Sequence, residues 1–85
     1  MHMHLKPHVT LTDTDTGAVL LDGRTGKYFE LNSTAQAVLH ALLAEDGPNP
    51  IELLLERFEV TRERAVADVN ALQSKLSQAD LVETA

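Results

Sequence analysis

A chain of 85 residues, 44% hydrophobic, supports one core and leaves no room for two, so a single domain over 1–85 is expected. Thirteen acidic residues against seven Lys and Arg give a net charge of −6, which argues against a nucleic-acid partner, since phosphate binding needs clustered cations. With no cysteine, disulfides and thiolate chemistry are excluded; no apolar run approaches the roughly 20 residues of a membrane span, and "MHMHLKPHV" lacks a signal-peptide core, so the cytoplasm is the expected location.

The first seven residues read as a flexible terminus. From His8 to Leu31 the apolar pattern has period two. "HVTLTD" alternates Val9 and Leu11 with Thr10 and Thr12, and turn formers follow at Asp13, Asp15 and Gly17. "AVLLD", Ala18 to Asp22, is a second strand, more continuously apolar and so covered on more than one side. Gly23 and Gly26 mark a turn before the third strand, "KYFEL". Three short strands with turn-like links predict an antiparallel meander.

The period then changes to that of a helix. Asn32 and Ser33 both suit an N-cap, and Ser33 with Gln36 matches a capping box. Ala35, Val38, Leu39, Leu42 and Leu43 share one helical face. After "EDGPNP", Asn49 caps a second helix with Pro50 at its first position and Ile51, Leu54, Leu55 and Phe58 as its stripe. Thr61 caps a third, along which Ala65, Val69, Leu72 and Leu76 form one stripe and Val66, Val69 and Leu76 a neighbouring one. Leu81 and Val82 are expected to tuck against the domain. The sum is an α+β fold, winged-helix-like, with a three-stranded antiparallel sheet followed by three helices.

Catalytic and metal-binding apparatus is hard to find. His2 and His4, with His8 nearby, have a metal-like spacing but no rigid frame, so a metal site is not expected. "DTDTG" departs from a calcium loop, which needs Gly sixth and an acidic twelfth residue; here Gly17 is fifth and Arg24 twelfth. His40 reads as an ordinary helical histidine, and no nucleophile or phosphate-loop motif is present. No cofactor is expected. The "LLERFEVTRERAVADV" cadence raises DNA binding through Arg62 and Arg64, against which stand Asp68 and the acidic whole.

What remains is the third strand. At a sheet edge, Lys27, Tyr28, Phe29, Glu30 and Leu31 would offer unpaired backbone groups to an extended peptide. Helix three, whose two stripes are broader than one buried face requires, would be the second wall of a groove. The opposing possibility is that Phe29, Leu31, Val69, Leu72 and Leu76 are simply core, with Tyr28 and Glu30 turned the other way.

"LLDGRTGKYFELNSTAQAVLHALL", followed by "IELLLERFEVTRERAVADVNALQSKLSQADLVE", resembles the PqqD-like peptide-recognition domains, also called RiPP recognition elements. These bind leader peptides in ribosomally made, post-translationally modified peptide pathways. The signature is an aromatic third strand running into Leu-Asn-x-Thr, here Tyr28, Phe29, Leu31, Asn32 and Thr34; Asp68, Val69 and Leu72 match the helical marker loosely. The stand-alone length is most similar to the discrete leader-binding proteins of lasso-peptide biosynthesis. The resemblance implies a non-catalytic partner that captures the leader as a fourth, antiparallel strand and presents it to a transglutaminase-like cysteine protease, with an asparagine-synthetase-like cyclase as a further partner. It also implies a helix side made of Asp68, Val69, Leu72, Gln73 and Leu76, with Lys75 at the rim. The family often has Gly where this chain has Ala35. Rival readings are a PqqD-like chaperone for a radical enzyme in cofactor biosynthesis and a small DNA-binding winged helix.

Overall fold

A computed structural model describes residues 3–84. The elements run β1 (Met3–Leu5), β2 (Val9–Thr14), β3 (Gly17–Asp22), β4 (Tyr28–Asn32), α1 (Ser33–Leu43), α2 (Pro50–Arg57), α3 (Arg62–Gln78) and β5 (Val82–Thr84). The α+β architecture expected from the sequence is present: β2, β3 and β4 form an antiparallel meander in that order, followed by three helices.

Local chemistry sets the boundaries. Asn32 and Ser33 compete for the first cap, and Asn32 takes it, its side chain accepting from the Ala35 N–H at 2.8 Å. Gln36 therefore does not close a box with Ser33; its amide donates to Asp13 Oδ1 at 2.8 Å instead, tying β2 to α1. Asn49 and Thr61 cap α2 and α3 as their side chains predict, with Pro50 where its missing N–H costs nothing. One glycine is dictated by close approach. A Cβ on Gly17 would lie 1.8 Å from the Leu31 carbonyl oxygen, so any larger residue would push β4 off β3.

The core lies between the inner face of the sheet and the helices. Leu20, Leu39, Leu54, Leu76, Leu81 and Val38 are its largest fully buried side chains, each worth about 1.5–3 kcal/mol on burial. Leu81 and Val82 are buried as expected.

The chain's start departs from expectation. Within the stretch expected as a flexible terminus, Met3–Leu5 pair antiparallel with Val82–Thr84, and Met3, 3% exposed, joins the core cluster; residues 1 and 2 lie outside the described residues. Burying Met3 repays the ordering of these residues, and His4 adds a 3.0 Å contact to Glu83. His2 of the weighed histidine cluster lies outside the described residues. His8 sits beside Asp22, 3.8 Å from its carboxylate. Among the described residues no group of three or more His, Asp or Glu is arranged to hold a metal, and no helix is long and apolar enough to cross a membrane.

Candidate functional site, the free edge of the sheet

β4 pairs with β3 on one side, and no described strand pairs with it on the other. The register decides which backbone groups reach that open side. Asp22 N donates to Lys27 O, and on the opposite flank of β3 Gly23 N donates to His8 O. Strand hydrogen bonds alternate in direction along an antiparallel pair. Leu20–Phe29 and Ala18–Leu31 are therefore the hydrogen-bonded pairs, while Leu21–Tyr28 and Val19–Glu30 are the non-bonded ones. The backbones of Phe29 and Leu31 are spent on β3. Those of Tyr28 and Glu30, with the Asn32 N–H, face the open edge.

Side chains follow the same alternation. Leu31 is buried and Phe29 half-buried against the core; Tyr28 and Glu30 are exposed on the outer face. This is the phase expected from the sequence.

Beside the edge runs a groove of about 780 Å³ between β4 and α3. Glu30, Leu31 and Asn32 form one wall, and Arg64, Asp68, Ala71, Leu72 and Lys75 the other. Its floor is the first half of α1, including Ala35 and Val38, and Glu59 and Val60 stand at the α2–α3 connection. An apolar strip of Leu31, Ala35, Val38, Val60, Ala71 and Leu72 is thus rimmed by charges of both signs. Arg64 Nε donates to Asp68 Oδ1 at 3.2 Å one helical turn away, which fixes part of that rim.

The groove brings together Glu30, Leu31, Asp68, Leu72 and Lys75 of the residues singled out from the sequence. Val69 and Leu76, 4% and 1% exposed, belong to the core. At 100° per residue, Asp68, Ala71 and Lys75 flank the buried stripe on the groove side, whereas Val66 and Gln73 flank it on the other. Gln73 is therefore turned from the groove. Lys27 precedes β4 and does not line it; Phe29 and Tyr28 do not line it either. Ala35, Val38, Val60, Arg64 and Ala71 were not anticipated. Arg62 and Arg64, the candidate DNA contacts, are paired with Glu52 and Asp68.

An ion cluster secures the turn that leads into β4. Arg24 Nη1 lies 2.9 Å from Asp80 Oδ2, just past α3, and Lys6 donates to the other oxygen of Asp80. These bonds, from Lys6 first and then Arg24, hold the Asp80 carboxyl below the usual range. At Asp22, burial opposes ionisation, but the Arg24 backbone N–H at 2.9 Å and its guanidinium outweigh it, so that carboxyl too is lowered. The turn before β4 is thereby tied to the residue just past α3.

Residues 17–82 match the family described as Coenzyme PQQ synthesis protein D (PqqD). No curated protein matches. A solved structure, "Lasso peptide synthetase B1 complexed with the leader peptide", is similar over 99% of this chain and 100% of its own, at 34% identity and a TM-score of 0.84. A second, "TbiB1 in Complex with the TbiA(beta) Leader Peptide", shares the fold at 23% identity and a TM-score of 0.79, over 100% of this chain and 98% of its own. With an open β4 edge, a groove against α3 and a family match over most of its length, the chain belongs to the PqqD family and is a PqqD-like RiPP recognition element.

Proposed function

We propose that the chain binds the leader segment of a ribosomal lasso-peptide precursor, taken up as a strand on the free edge of β4. The observation that carries this reading is the unpaired edge itself, lying beside a groove with an apolar floor. Backbone hydrogen bonds to Tyr28 and Glu30 contribute about 0.5–1.5 kcal/mol each, too little alone to order a flexible peptide. Apolar anchors on Leu31, Ala35 and Leu72 supply the remainder. The residues needed are a backbone and a hydrophobic cleft, so the role is capture rather than catalysis.

The finer part of the proposal is that capture serves a separate leader peptidase, whose encounter with the precursor the protein accelerates by raising local concentration. The full-length likeness to a lasso protein at 34% identity favours this pathway over a radical-enzyme partner in cofactor synthesis.

Fluorescence-anisotropy titration with synthetic lasso-precursor leaders tests the reading. Roughly micromolar binding is expected, weakened more than about tenfold by Ala35→Leu, which fills the floor with a good helix former and leaves the helix intact. Equal affinity for both proteins would remove the groove from the site. Addition of the protein should also raise kcat/KM of the peptidase on its precursor.

A further inference from the structure

The face of the sheet turned away from the helices carries apolar surface that no described part of the fold covers. Leu21 is 43% and Tyr28 66% exposed, and they sit directly opposite one another across β3 and β4. Theirs is a non-hydrogen-bonded pair, the kind in which side chains approach most closely. Thr10 completes their row on β2; the next row is Thr12, Val19 and Glu30. Glu30, which also borders the groove at the strand's edge, makes no ion pair among the described residues.

An added strand has two faces. Its residues opposite Phe29 and Leu31 turn toward α3; those opposite Tyr28 and Glu30 turn outward. We propose that the outer face is a second reading surface for the same peptide, accepting an apolar or aromatic side chain beside Tyr28 and Leu21 and a cationic one beside Glu30. This rests on the strand-addition reading above. In the antiparallel direction, the peptide meets Leu31, Glu30, Phe29 and Tyr28 in that order. The segment recognised therefore runs apolar, basic, apolar, then aromatic or aliphatic, the first and third turning toward α3 and the second and fourth lying on the sheet.

A second copy of this chain is a poorer occupant. Two partly exposed side chains among threonines offer far less than the roughly 800 Å² per partner of a stable interface. A peptide already held by the edge needs only a local contact.

Panning a displayed library of random peptides of about ten residues on the intact protein tests the idea, followed by titration of the best binder. The expected consensus has the four-residue pattern above. Tyr28→Thr and Leu21→Thr, which keep strand propensity, should erase the preference at its fourth position and weaken the binder about three- to fivefold. Glu30→Gln should erase the preference for a cation at the second. Enrichment confined to the groove-facing positions and unmoved by these variants overturns the inference while leaving the groove reading intact. An absence of enriched peptides takes both down. Self-association of the wild type that Leu21→Thr abolishes would assign the face to a second copy, and so overturns it too.

Discussion

The sheet has two edges, and they are built to opposite ends. One row of the inner face makes the contrast plain: Asp13 on β2, Ala18 on β3 and Leu31 on β4 lie side by side. At the β4 end the row is apolar and opens on the groove. At the β2 end it terminates in a carboxylate that Gln36 and His40 engage at 2.8 and 2.9 Å, and those bonds, Gln36 first, lower its pKa. A strand arriving at β2 would have to lay a side chain beside an ionised, inward-pointing group, a recognised way of blunting an edge. The same backbone periodicity thus leaves two unpaired borders, one guarded by the Asp13 carboxylate and the other opening on the groove.

The largest effect should come from blocking the open border without disturbing the ladder. Glu30→Pro removes an N–H that faces the edge and leaves the β3 pairing untouched. Peptide affinity should fall more than about tenfold in titration, with only a small loss in urea midpoint. A midpoint that collapses would mean that Glu30 pairs inward, contrary to the deduced register.

A smaller effect is expected from opening the closed border. Asp13→Leu turns the inner row apolar from end to end, and sedimentation velocity should then report concentration-dependent association through β2. Peptide binding should stay within about twofold, since β4 is unaltered.

The smallest effect concerns both borders together. Asp13, Asp22 and Asp80 all have lowered pKa values. A carboxyl more acidic in the folded than in the unfolded state stabilises the fold above its unfolded pKa, and that stability is lost as pH falls through the folded value. Urea midpoints should be level from neutral to about pH 5 and decline below about pH 4. Asp80→Asn, which keeps a residue tolerant of the positive φ of 60° found there, should flatten that decline.

Much of this was legible in the sequence because it is local. Period-two alternation gave the strands of the meander and the inner and outer faces of "KYFEL"; Asn49, Pro50 and Thr61 announced their helices by side-chain chemistry alone. The terminal ribbon was not legible. Three residues are too few for a period, and His4 meets its partner Glu83 across 79 positions. The choice between Asn32 and Ser33 was also hidden, since Gln36 could serve either a box or Asp13, and only the packing of β2 on α1 decides. On α3, periodicity fixes which residues share the buried stripe but not which flank borders the groove. The places of Arg64 and Ala71 on the groove side, and of Gln73 on the far flank, are therefore decided only by the packing of α3.

The pairing of Met3–Leu5 with Val82–Thr84 brings the two ends of the fold to a common seam. A guest domain whose ends already meet can be spliced into a surface loop of a host without stretching either partner. The recognition unit is in that sense portable, since both of its points of attachment would lie at the one seam.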